Sequence, residues 1–187
     1  SDYGRVGWGV KNLRITCRDV AEHALRIIGS GGGEVENIWM IHDAGVGVST
    51  DEGIQYWDQL GVGTSRSWQG DTLRNLWIQG FGAAGIEFGV NNNVGRDVNF
   101  SDAWIVNCNQ GVKFRSGGTG IPRRLHLSRV RVITPTAAGF TFGTLRESEL
   151  SQCSVFNGTT LGFSFSGAAA DLNRIVLSQC VAEECDR

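Results

Sequence analysis

The sequence predicts an all-β protein, a right-handed parallel β-helix with three short strands per coil and about six to seven coils. Three observations predict it. An apolar–any–apolar element recurs along the whole chain, a glycine-led element recurs between its copies, and the 187 residues hold 27 glycines but only 2 prolines at 41% hydrophobic content. Such a composition favours many tight turns between short buried strands and argues against disorder.

The first element opens as Leu13-Arg14-Ile15 and returns as Ile38-Trp39-Met40, Leu76-Trp77-Ile78, Val98-Asn99-Phe100, Leu125-His126-Leu127 and Ile175-Val176-Leu177, with a degenerate copy at Ser148-Glu149-Leu150. Measured at the third residue, the intervals are 25, 38, 22, 27, 23 and 27 residues. Apart from the 38, they describe a unit of about two dozen residues that cannot bury its apolar face alone and must stack on its neighbours. The closest self-match is literal, Leu150-Ser151-Gln152-Cys153 against Leu177-Ser178-Gln179-Cys180.

The second element runs Gly45-Val46-Gly47-Val48, Gly85-Ile86-Glu87-Phe88, Gly111-Val112-Lys113-Phe114, Gly139-Phe140-Thr141-Phe142 and Gly162-Phe163-Ser164-Phe165, with Ala24-Leu25-Arg26-Ile27 as a glycine-less first version. Its period-two alternation marks strands with one buried face. A third short strand is read from the inward pairs Ala103/Ile105, Val130/Val132, Cys153/Val155 and Cys180/Ala182. All of this belongs to one domain, residues 1–187. The interval of 38 places an inserted loop at about 51–70, and loops of that length in a compact repeat are usually functional or mobile. The open last coil leads us to expect a covering partner or a longer chain of which this is a part.

Net charge is −2, so no global basic field gathers nucleic acid or an anionic membrane. No apolar run approaches the length that spans a bilayer. Five cysteines without a CxxC pair point to free buried thiols, not to disulfides or zinc. There is no EF-hand loop and no metal-ligand spacing, and the run Gly29–Gly33 lacks a P-loop lysine and reads as a turn. Neither metal nor cofactor is expected.

Between the two apolar residues of the first element lies an outward position, read as the row Arg14, Trp39, Trp77, Asn99, His126, Glu149, Val176. Trp39 and Trp77 stack on adjacent coils in this reading, at the base of an insertion carrying Tyr56, Trp57 and Trp68. Grouped with Arg14, these side chains form a candidate platform for sugar rings, whose C–H faces pack on aromatic faces. The alternative is that the long loop folds down on the tryptophans or another subunit covers them, since interfaces also bury large aromatics. Acid–base chemistry on a glycan needs paired carboxylates; the candidates nearest the platform are Asp43, Asp58 and Asp71. A serine row (Ser101, Ser128, Ser151, Ser178) reads as hydrogen bonding between coils, and Glu87 with Lys113 as a surface ion pair.

The openings Asn12-Leu13-Arg14-Ile15, Asn37-Ile38-Trp39-Met40 and Asn75-Leu76-Trp77-Ile78, followed by Gly85-Ile86-Glu87-Phe88-Gly89 and Asn107–Phe114, resemble the pectin-lyase-like right-handed parallel β-helix superfamily. Within it they resemble bacteriophage tailspike and tail-fibre β-helices most. That resemblance implies recognition of cell-surface polysaccharide on a virion tail or outside the cell, by a homotrimer. It leaves two alternatives: a polysaccharide depolymerase, hydrolase or lyase, with acids near 51–70 or at a subunit interface, and a structural fibre spacer. The catalytic motifs of polygalacturonases and alginate epimerases are absent from the sequence.

Overall fold

The computed structural model describes residues 7–18, 23–28, 31–43, 52–57, 68–89, 95–115, 121–167 and 172–185. Coil by coil, the strands are β1 (Gly9–Cys17) and β2 (His23–Ile28), then β3 (Glu34–His42) and β4 (Glu52–Trp57), then β5 (Thr72–Gln79) and β6 (Ala84–Phe88). There follow β7 (Asn99–Val106) and β8 (Gln110–Phe114), β9 (His126–Ile133) and β10 (Ala138–Phe142). The last coils hold β11 (Leu145–Ser151), β12 (Ser154–Phe156), β13 (Leu161–Phe165), β14 (Leu172–Ser178) and β15 (Val181–Glu183). One sheet stacks as β1-β3-β5-β7-β9-β11-β14 and the other as β13-β10-β8-β6-β4-β2. Their pairings are parallel, so each coil adds one rung to each sheet and the chain winds as a parallel β-helix.

The strands of the first sheet are bent. Asn12, Asn37, Asn75, Asp102, Arg129, Gln152 and Gln179 occupy equivalent register positions and all have φ between 53° and 56°. Each bend divides a strand in two; in the sixth and seventh coils the halves separate as β11/β12 and β14/β15. With the second sheet this gives three short strands per coil. Asparagine and aspartate enter the left-handed region at low cost, and here the column also bonds to itself. Asn37 Nδ2 donates to Asn12 Oδ1 at 2.9 Å, Asn75 Nδ2 donates to Asn37 Oδ1 at 2.6 Å, and Arg129 holds Asp102 through two bonds of 2.6 and 2.8 Å.

The core is a stack of identical layers. Tyr56, Phe88, Phe114, Phe142 and Phe165 lie ring over ring at 5.3, 5.4, 5.4 and 4.5 Å, close to the spacing of the strands that carry them. The glycine at the second position of β4, β6, β8, β10 and β13 answers to the opposite wall. A Cβ on Gly53 would sit 2.5 Å from Ile78 Cγ2, and one on Gly111 2.5 Å from Val132 Cγ1. The coil is so narrow there that backbone meets side chain.

Two expectations are corrected. Within the stretch 51–70, residues Glu52–Trp57 are strand and not loop: Gly53-Ile54-Gln55-Tyr56 lies in the second-sheet strand of the second coil, with Ile54 and Tyr56 inward and paired to Ile86 and Phe88. The earlier candidate for that strand, Gly45–Val48, lies outside the described residues, as do 58–67. The frame of the first element also shifts. Register aligns Leu76-Trp77-Ile78 with Ala103-Trp104-Ile105 and then Val130-Arg131-Val132, while Asn99 pairs with Thr72. Each coil carries two apolar–any–apolar elements, one on either side of the left-handed corner. The interval of 22 is where the marker passed from one to the other, five residues short of the true 27.

Candidate functional site

The outward position on the second half of each bent strand gives a row in register: Arg14, Trp39, Trp77, Trp104, Arg131. The row points away from the core, and its side chains meet solvent, one another and, at Trp77, Gln79. Trp77 and Trp104 stack at 6.1 Å with 22° between planes, and Trp39 is turned 71° to Trp77 at 5.8 Å. The Arg131 guanidinium lies 4.7 Å over the Trp104 ring. Trp77 is half-buried between neighbours that stay exposed, Trp39 at 49% and Trp104 at 38%. The result is an apolar strip three rungs long, with a cation in register at each end.

On one side of the strip, past the left-handed corner, charges are consumed in pairs. Lys11 bridges Glu34 and Glu36, Arg74 reaches Glu36 at 3.1 Å, and Arg129 closes on Asp102. The two glutamates raise the Lys11 pKa, and hydrogen bonding to Arg129 holds the Asp102 carboxyl below the usual range. On the other side lies a groove of about 460 Å³ lined by His42, Asp43, Gln79, Gly80, Asn107, Thr134, Thr136, Asn157 and Thr159. Gln79 belongs to both features, since its Oε1 accepts the Trp77 indole N–H at 3.1 Å.

The predicted residues therefore separate. Arg14, Trp39 and Trp77 lie on one face as expected, and Trp104 extends their row; its signal in the sequence was its place 27 residues after Trp77. Tyr56 and Trp68 are withdrawn from the platform. Both are fully buried, 5.3 Å apart within the aromatic stack, with the Trp68 N–H donating to the Gly89 carbonyl at 3.3 Å. Trp57 ends β4, and Asp58 lies outside the described residues.

Among the acids, Asp71 is corrected to a structural role. It is 1% exposed, accepts the Gly33 N–H at 2.7 Å and lies beside the Tyr56 hydroxyl. Burial and, after it, this carboxylate push the Tyr56 phenol well above its ordinary pKa. Asp43 is exposed, 3.4 Å from Arg18 Nε, and is the predicted acid that reaches the groove. With Asp71 inside the coil, these two do not form a facing pair. Glu87 is no surface partner of Lys113: it is 1% exposed, with Lys113 Nζ at 2.7 Å and Arg115 at 3.5 Å. All five cysteines are free, and burial pushes the Cys108 and Cys153 thiols up to about 12.

No protein-family model matches the chain, and no curated protein matches it. Among solved structures it is similar to the Streptococcus pneumoniae surface protein and adhesin PfbA, at 11% identity and a TM-score of 0.43 over 96% of this chain and 66% of that one. It is also similar to the A-module of the Azotobacter vinelandii mannuronan C-5 epimerase AlgE4, at 12% identity and a TM-score of 0.39 over 93% of this chain and 55% of that one. The chain thus spans just under two thirds of the first and just over half of the second.

Proposed function

We propose that this protein recognises carbohydrate, and that the Trp39–Trp77–Trp104 strip is the surface that does so. The observation that carries the reading is the strip itself: three indoles on successive rungs of a face that a solenoid needs only for solvation, two of them more than a third exposed. Indoles supply flat apolar area at low entropic cost. Arg14 and Arg131, in register at the ends, can reach ring hydroxyls or acidic substituents. In its finer form the proposal is a tailspike- or tail-fibre-like β-helix that binds cell-surface polysaccharide from a virion or another extracellular surface, as a homotrimer.

The test is binding of the purified protein to an array of bacterial capsular and O-antigen polysaccharides, with reducing ends and the absorbance of unsaturated uronates followed in parallel. Trp39→Ala combined with Trp104→Ala is expected to weaken binding about tenfold or more while circular dichroism stays that of the parent. Product formation from any polysaccharide would replace recognition by depolymerisation, with Asp43 the first residue to substitute. A double variant that binds normally but changes subunit number in light scattering would make the strip an interface.

A further inference from the structure

Of the five free cysteines, two fall on adjacent rungs in register. Ser151 pairs with Ser178 and Ser154 with Val181, which sets Cys153 directly over Cys180. The backbone is tied on both sides of the pair: the Gln152 N–H donates to the Ser178 carbonyl at 2.9 Å, and the Val181 N–H to the Cys153 carbonyl at 3.0 Å. Gln152 Nε2 adds a bond to Gln179 Oε1 at 3.2 Å. The other cysteines have no such neighbour. Cys17 pairs with His42, and Pro135 and Gly158 stand between Cys108 and Cys185 in their column.

The position these two occupy is an inward one. On the preceding rungs it holds Ile38, Leu76, Ala103 and Val130, so cysteine replaces an aliphatic side chain only where the stack opens and Leu177 and Val181 become exposed. Both thiols turn alike. Cys153 Sγ faces the Ser151 carbonyl at 3.6 Å and the Leu127 carbonyl, one rung back, at 3.8 Å; Cys180 Sγ faces the Ser178 carbonyl at 3.6 Å and the Leu150 carbonyl, on the rung of Cys153, at 3.4 Å. A thiol is a weak donor, so these contacts give way easily to a bond between the sulfurs. Access is unequal: Cys153 is buried, and Cys180 is partly exposed. Burial foremost, and then the Cys180 thiol beside it, hold Cys153 protonated.

We infer that Cys153 and Cys180 are an oxidisable pair that closes into a disulfide along the solenoid axis and latches β14 and β15 to β11 and β12. Adjacent strands lie about 4.8 Å apart, inside the roughly 4.4–6.8 Å between Cα atoms that a disulfide bridges. The oxidant is a small-molecule disulfide of the glutathione class. Cys180, the accessible member, gives its proton to solvent and its sulfur attacks one sulfur of the reagent, whose other half leaves as a thiolate and is protonated. Cys153 then loses its proton and attacks Cys180 Sγ, releasing the second half as a thiol. Together the two protein thiols lose two electrons, and one reagent disulfide becomes two thiols. Closing the segment from Cys153 to Cys180 removes chain entropy from the opened state, where it matters most: among the described residues, β14 and β15 are paired on one edge alone. The latch is independent of the carbohydrate reading.

The experiment incubates the purified, folded chain with oxidised glutathione, quenches in acid, blocks remaining thiols with N-ethylmaleimide in denaturant, and maps the peptides without reduction. The expected product is a Cys153–Cys180 crosslink with Cys17 and Cys108 still free. Amide exchange in β14 and β15 is expected to slow about tenfold or more and to recover on adding dithiothreitol. Cys153→Val, which repeats the residue one rung back, removes the second attacking thiol and is expected to trap glutathione on Cys180 as a stable mixed disulfide. Cys180→Val is expected to leave Cys153 unmodified. A parent chain that stops at the mixed disulfide, that joins Cys180 to Cys185 or to another molecule, or that crosslinks only after urea unfolds it overturns the pair. A Cys153–Cys180 crosslink that leaves exchange in β14 and β15 unchanged overturns the latch.

Discussion

Tyr56 and Asp71 meet inside the coil, and their titration can be followed separately from any binding. The phenol is held neutral in the fold by burial, and the nearby carboxylate adds to the effect. An unfolded tyrosine ionises near pH 10. Above that pH the unfolded chain therefore binds fewer protons than the folded one, so this group lowers stability as pH rises and leaves it untouched below. In a Tyr3→Phe background, phenolate absorbance should appear only together with unfolding; a free titration near pH 10 would place Tyr56 in water. Asp71→Ala should cost about 1–3 kcal/mol in chemical denaturation, because the buried Gly33 N–H loses its acceptor. Cysteine offers a parallel test. Cys108 and Cys153, with thiols pushed up to about 12, should resist alkylation at pH 8 until the protein unfolds, whereas Cys180 and Cys185 are partly exposed and should react first. What the sequence concealed at this scale was orientation. Trp68 and Trp39 are the same residue type in similar local company, and only the register of the coil decides that one fills the core and the other meets solvent.

At the level of the strand, the glycine column makes the sharpest demand. Gly111→Ala would drive a methyl to 2.5 Å from Val132 Cγ1, whereas the same change at Gly31 meets nothing within 4 Å. The first should lose about 1–3 kcal/mol through overpacking and the second almost nothing, both measured by urea denaturation; equal effects would mean that the opposite walls of the coil do not touch. The left-handed corners point the other way. Glu147 is exposed with φ at 51°, and Glu147→Gly should gain about 0.5–1 kcal/mol, the relief of the corner less the entropy of glycine. These corners also explain how far the fold could be read. Period-two alternation and the repeat of Leu150–Cys153 in Leu177–Cys180 were legible because a parallel stack requires each layer to resemble the next, and Leu150 does pair with Leu177. The frame slipped at residue 100 because a corner built from one left-handed residue leaves an apolar–any–apolar pattern on both sides. It slipped again in the second coil, where Gln55 and Tyr56 look like loop chemistry unless Ile54 is known to face Ile86.

The whole molecule is a one-dimensional stack, and its stability should be distributed accordingly. Each coil touches only the coils on either side, so a coil in the middle is held twice and a coil at an end once. Strands β5, β7 and β9 are paired on both edges and their inward residues are closed from water. At the last rung of each sheet the same core rows lie open: Phe165 on β13 is 52% exposed although it stacks on Phe142, and Leu177 on β14 and Val181 on β15 are exposed as well. Hydrogen bonds there face solvent on one side and open by local fluctuation far below the global free energy. Amide exchange should accordingly be slowest in β5 to β10, which carry Trp77 and Trp104 of the strip, and grade toward β13, β14 and β15. If exchange were instead uniform to β15, something would be holding the open layer. Repeating the measurement across a wide protein concentration then separates the causes: protection that fades on dilution belongs to end-to-end association of this chain, and protection that persists contradicts the nearest-neighbour picture itself.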